Sequence, residues 1–172
     1  DTMKIGIIGL GVVGSAVRYG FEKLDHEVYT HDTKYDDSSI VDVAGTDICY
    51  VCVPSPSKDT GECDTSIVRV VVSQLNHLGY RGVVVIKSTV TPTTTQDLIL
   101  QYPNLLVCFV PEFLRERCAV VDFTENHDVC IIGTEDVRVF DKVKESHGHY
   151  PKKFIQVSPT EAEVCKYFNN IY

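Results

Sequence analysis

Residues Met3 to Gly14, Met-Lys-Ile-Gly-Ile-Ile-Gly-Leu-Gly-Val-Val-Gly, constrain the fold more than any other stretch of the chain. An apolar run the length of one buried strand ends in Gly9-x-Gly11-x-x-Gly14. Helical spacing of Val13, Ala16, Val17 and Phe21 begins at once. A strand that turns directly into a helix needs a residue tolerant of unusual backbone angles at the turn. It also needs a position with no side chain where helix and strand pack closely, and Gly9 and Gly14 meet these two needs. Gly11 leaves main-chain N–H groups open to an approaching group, at the helix end where the dipole favours negative charge. The pattern suits a dinucleotide pyrophosphate.

A second strand, 27–31, leads to Asp32, about 20 residues past the glycines. A carboxylate there accepts hydrogen bonds from adenosine ribose hydroxyls and repels a 2′-phosphate, so NAD is expected over NADP. Lys34 lies close enough to meet a 2′-phosphate, which keeps NADP open. The plain alternative for Asp32 is a turn residue after a strand.

The 172 residues suffice for one domain with a sizeable core, and 44% are hydrophobic, against global disorder. A net charge of −8 argues against a nucleic-acid or anionic-membrane surface. No apolar run reaches the ~20 residues of a membrane span, and the start lacks the pattern of a signal peptide. Met3 is expected to be the natural start, behind Asp1-Thr2. Of seven cysteines, Cys49, Cys52, Cys108 and Cys130 lie in apolar strand-like runs and read as small buried hydrophobes. Cys49-x-x-Cys52 has chelating spacing, but a strand sends neighbouring positions to alternate faces, so no metal site is expected. The cysteine usage fits a reducing, cytoplasmic setting.

Strand and helix patterns alternate along the chain. Strands are expected at 4–8, 27–31, 46–53, 82–87, 105–110, 129–132 and 153–157. Helices are expected at 12–24, weakly at 38–43, from Asp64 or Ser66 to about 77, from Thr91-Pro92 to about 102, and at 135–146. Thr160-Glu-Ala-Glu163 reads as a capping box opening a last helix still running at Tyr172. This order predicts an α/β fold, a doubly wound, mostly parallel, Rossmann-like sheet that ends in the start of a long helix. Residues 3–159 are expected to form the dinucleotide domain, and 160–172 to begin a helix linking it to a second domain.

Polar clusters fall where such strands end: Val53-Pro-Ser-Pro-Ser57, Ser88-Thr-Val90 and Pro111-Glu-Phe-Leu-Arg-Glu116. Ligands of doubly wound sheets bind at those ends. Lys166 and Asn170, spaced i, i+4, share one helical face, and an ammonium beside an amide N–H₂ stabilises an anion.

With Gly61, Asp64, Lys87 and the run Thr160–Asn170, these pieces resemble the UDP-glucose/GDP-mannose dehydrogenase family in order and spacing across almost the whole chain. The resemblance implies a four-electron oxidation of a nucleotide-sugar C6 alcohol to a carboxylate, with two NAD reduced and a cysteine thioester on the way. It implies UDP-glucose as substrate first, with GDP-mannose and UDP-N-acetylmannosamine as alternatives, and a homodimer. A stand-alone dinucleotide-binding module is the competing reading. By resemblance, Gly9, Gly11, Val12, Val13, Gly14, Asp32, Lys34, Val53, Pro54, Ser55, Ser88, Thr89 and Glu116 hold NAD. Glu112, Phe113, Leu114, Lys166 and Asn170 meet the sugar nucleotide. Glu112 assists thioester hydrolysis, and Glu116 lies where substrate and nicotinamide meet. Thr89 places a water or the reacting hydroxyl, and Lys166 and Asn170 hold negative charge at C6.

The chain departs from the family pattern at several points. Arg117 and Thr93 stand where glycine is usual. Asp37 replaces a basic residue past the ribose acid, and Val129 an arginine. The glycine-rich motif around the family's nucleophilic cysteine is absent from these residues, and Cys118 lacks its neighbours. The chain alone is therefore expected to bind NAD without completing the oxidation.

Overall fold

A computed structural model describes residues 2–35, 37–112, 119–125 and 128–171, with side chains through Tyr167. Strand β1 (Lys4–Ile8) runs into helix α1 (Val12–Lys23), and β2 (Glu27–His31) is followed by a 3-10 turn over Ile40–Val43. Then come β3 (Ile48–Val51), α2 (Ser66–His77), β4 (Val83–Ile86), α3 (Thr94–Gln101) and β5 (Leu106–Phe109). The chain continues through α4 (Ala119–Thr124), β6 (Val129–Gly133), α5 (Val137–His147), β7 (Lys153–Val157) and α6 (Pro159–Ile171). The strands form one sheet in the order β2-β1-β3-β4-β5-β6-β7. The first five pair in parallel, as do β6 and β7. Strands β5 and β6 meet antiparallel at a single pair, Phe109 with Gly133.

The central strands are apolar throughout because both faces are covered. Ile5, Ile7, Tyr50, Val83 and Val85 point to one core with Val17 and Phe21 of α1, Phe123 of α4 and Val143 of α5. Their neighbours Ile8, Val51, Val84 and Ile86 feed a second core with Val68, Val72 and Leu75 of α2 and Leu98 of α3. Each aliphatic side chain so buried contributes about 1.5–3 kcal/mol by leaving water. The first core also holds a satisfied polar link. Met3 N–H donates to Nδ1 of buried His26 (2.9 Å), whose Nε2–H donates to the Ser146 carbonyl (2.9 Å). That link ties the start of β1 to the end of α5.

Three elements differ from the sequence reading. Helix α3 starts at Thr94 rather than at Pro92, because Thr91-Pro92 form a turn closed by Thr94 N–H on the Thr91 carbonyl (3.2 Å). The capping box of α6 is Ser158 with Glu161, not Thr160 with Glu163. Ser158 N–H donates to Glu161 Oε1 (3.0 Å) and Glu161 N–H to Ser158 Oγ (3.1 Å), with Pro159 at the first helical position. Helix α4 was not expected; it is six residues long and follows residues 113–118, which lie outside the described part.

Candidate functional site

A cleft of about 630 Å³ opens at the carboxyl ends of the central strands. The strand order reverses between β1 and β3, and the cleft lies over that switch point.

Its first wall is made by backbone. Gly9 takes φ +95°, and a Cβ there would stand 2.7 Å from the Cys52 carbonyl oxygen. Gly14 is needed for close packing: its Cβ would lie 1.8 Å from the Gly9 carbonyl oxygen. Gly11 differs, since a Cβ there would meet no atom within 4 Å. Its missing side chain leaves open space over the start of α1, where first-turn N–H groups have no intrahelical acceptor. A pyrophosphate fits that cradle by charge and by room. Asp32 is held with it. Its Oδ2 accepts from Leu10 N–H (2.7 Å) and its Oδ1 from Lys34 N–H (3.0 Å). The Lys34 N–H, opposed by burial and aided by Leu10 N–H, holds the Asp32 carboxyl below the usual range. The carboxylate is thus ionised and fixed beside the glycine loop, as ribose recognition requires.

The floor comes from the ends of β3 and β4. Ser88 Oγ donates to the Val53 carbonyl (2.7 Å), tying the two strand ends together. Val53, Pro54, Ser55, Ser88 and Thr89 all face the cleft. A side wall from α2 went unnoticed in the sequence. Ile67, Val70 and Gln74 line the opening, Ile67 and Val70 being apolar yet exposed, on the side of α2 away from its buried stripe.

The far end is built from charge. Lys87 Nζ donates to Glu112 Oε2 at 2.8 Å, with side chains 1% and 5% exposed. Lys166 of α6 donates from Nζ to the Glu112 carbonyl oxygen. Burial pulls the Lys87 ammonium down, but Glu112 outweighs it and leaves the group above its usual value. Lys166 stays lowered, first by burial and then by the nearby Lys87 charge, against the pull of Glu112. In the sequence Lys87 stands within a family motif without a role of its own, marked only as the lysine that ends the otherwise apolar run Val83–Ile86. Cys52 reaches the same end of the cleft, where burial pushes its thiol up to about 12, and Cys130 is likewise at about 12. Both are thiols, not nucleophiles, at neutral pH. Among the described residues, no three His, Cys, Asp or Glu side chains gather as a metal site would require.

The structure therefore brings Gly9, Gly11, Val12, Val13, Asp32, Lys34 and the floor residues to one cleft with Glu112 and Lys166. Gly14 sits behind the loop rather than on the cleft surface, and supports it. Phe113, Leu114, Glu116, Arg117 and Cys118 lie outside the described residues, as does the side chain of Asn170.

A mostly parallel sheet, with a glycine cradle at its switch point and a fixed carboxylate beside it, defines a dinucleotide-binding domain of the dehydrogenase type. The chain belongs to the UDP-glucose/GDP-mannose dehydrogenase family: residues 32–150 match the family's NAD-binding domain. It is 26% identical, over 99% of its length, to a UDP-glucose 6-dehydrogenase of Haloferax volcanii. A GDP-mannose 6-dehydrogenase of Pseudomonas aeruginosa is also 26% identical over 99% of the chain. The chain spans 51% and 50% of these two relatives. Among solved structures, a UDP-glucose dehydrogenase of Pyrobaculum islandicum superposes with a TM-score of 0.88 at 25% identity, over 99% of this chain and 50% of that one.

Proposed function

We propose that this chain holds NAD and part of the sugar-nucleotide site of a UDP-glucose 6-dehydrogenase, which oxidises the C6 alcohol of UDP-glucose to a carboxylate with two NAD. In this reading residues 3–159 are the dinucleotide unit, α6 begins the helix toward a second domain with the nucleophilic cysteine, and the whole protein is a cytoplasmic homodimer. The observation that carries it is the meeting of Glu112 with Lys166 in the same cleft as the glycine cradle, at its other end, since Lys166 comes from a helix that the cradle alone does not require. The Haloferax relative favours UDP-glucose; the Pseudomonas relative, equally similar, favours GDP-mannose as the second reading.

NAD, when bound, would supply the hydride acceptor. The chain's residues do the rest. N–H groups at the start of α1 take the pyrophosphate, and Asp32 takes the adenosine ribose. Val53, Pro54, Ser55, Ser88 and Thr89 form the surface under the nicotinamide half, with Glu116 assigned there by family likeness. The Lys166 ammonium, with Asn170, offsets negative charge on the C6 oxygen, and Thr89 orients the reacting hydroxyl or a water. Glu112 assists removal of a proton from the water that releases the acid. Phe113 and Leu114 follow it along the substrate.

Calorimetry tests the reading. NAD should bind, and Asp32→Ala should weaken it about tenfold, the scale of hydrogen bonds to a charged group; equal affinity would overturn the ribose assignment. With NAD present, UDP-glucose should bind more tightly than GDP-mannose, and the reverse order selects the second reading. NAD reduction by UDP-glucose with these 172 residues should be negligible. Sustained turnover would refute a nucleophile supplied from elsewhere.

A further inference from the structure

Lys87 is 3% exposed at the end of β4, its ammonium 6.0 Å from the centre of the Tyr50 ring and 2.8 Å from Glu112 Oε2. The thiols of Cys52, Cys108 and Cys130 lie within its electrostatic reach and bring no counter-charge, all three being held protonated by burial. Glu112 is itself 4% exposed, and among the described residues Lys87 engages its carboxylate and Lys166 its carbonyl. A buried residue held at its carbonyl and at its carboxylate has little freedom to turn, and Lys87 holds the carboxylate. We propose that Lys87 is a positioning residue: by holding the Glu112 carboxylate it sets where Glu112 and, through the Glu112 carbonyl, the Lys166 ammonium stand at the inner end of the cleft. The three then form one charge-coupled unit rather than two independent substrate contacts. The functional weight of this unit rests on the reading above, in which Glu112 and Lys166 face the sugar.

Coupling makes opposite predictions for the two partners. Lysine acetylation by N-hydroxysuccinimidyl acetate, followed residue by residue by mass spectrometry, reads the neutral amine fraction of Lys166; exposed Lys152 serves as the internal reference. Lys87→Met removes a neighbouring positive charge, so Lys166 should react roughly threefold or more slowly. Glu112→Gln removes a negative one, so Lys166 should react roughly threefold or more quickly. Lys87→Arg, which keeps the charge, should stay near the unmutated rate. Equal rates in all variants, or the same direction for Met and Gln, would overturn the proposal. If a substituted chain fails to fold, as circular dichroism would show, the unmutated protein still decides. A slowly exchanging Lys87 ammonium signal in ¹⁵N NMR is expected for the buried pair, and a rapidly exchanging one would refute it. NAD calorimetry stands apart from these readouts: it can fail while the acetylation pattern holds, and the reverse.

Discussion

The two ends of the cleft are built from different materials. At the β1 end the surface is backbone: Gly9, Gly11 and the first turn of α1 offer N–H groups, with Asp32 pinned by two further main-chain donors. At the β4–β5 end the surface is side-chain charge, with Lys87 and Glu112 buried and Lys166 half-buried against them. A backbone site depends on close packing and tolerates most side-chain change around it. A charge site depends on complete pairing, because a buried ion without its partner costs more than a lost contact. In the reading proposed above, the first end meets a dinucleotide by means open to any dinucleotide enzyme, while the second meets the sugar.

The largest effect should come from unpairing the charge end. Lys87→Met or Glu112→Gln alone should destabilise the chain by about 3–5 kcal/mol in urea unfolding. Lys87→Met joined to Glu112→Leu should recover most of that loss, since no buried charge is left unpaired. Additive losses would show that the pair does not act as a unit. At the backbone end Gly14→Ala should cost about 1–3 kcal/mol, because the new Cβ forces α1 away from the Gly9 carbonyl. NAD affinity should fall with it. Affinity unchanged in calorimetry would mean that the cradle does not need the close approach. The smallest effect concerns Thr93, which takes a left-handed φ of +79° just before α3. Thr93→Gly should raise stability by about 1 kcal/mol, the relieved strain exceeding the added freedom of the unfolded chain. A loss instead would show that the threonine side chain makes up for its backbone.

The backbone end was legible in the sequence because its requirements are local. A strand, three glycines at fixed spacing and an acid after the next strand leave few alternatives, and the structure gathers Gly9, Gly11 and Asp32 as that spacing implied. The central strands were legible for a similar reason, as runs such as Val83–Ile86 bury both faces. The charge end was harder to read. Lys87 and Glu112 are 25 residues apart and look like ordinary strand-end residues until the sheet sets β4 beside β5. The same holds for Glu163. Its place in the motif suggested a cap for its own helix, yet its carboxylate is buried and accepts from Thr93 N–H (3.0 Å) and Thr95 N–H (2.9 Å), at the start of α3. Ser158 and Glu161 already satisfied the local donors, which left Glu163 to a partner that only tertiary packing could supply. Burial raises its carboxyl, against those two N–H groups. Helix α4 escaped notice because six residues hold too little periodicity to read.

The single antiparallel contact between Phe109 and Gly133 gives the sheet a seam. On one side five strands share continuous ladders, and on the other β6 and β7 form a ladder of their own. Across the seam lies α6, packed so closely that a Cβ on Gly133 would stand 2.7 Å from the Ala162 Cβ. Helix α6 also lies against β5 and α3, so it spans the seam that the strands themselves bridge only once. One helix therefore both clasps the two sides of the sheet and delivers Lys166 to the cleft, so in the reading proposed above a slackened seam would shift Lys166 before it disturbed the glycine cradle.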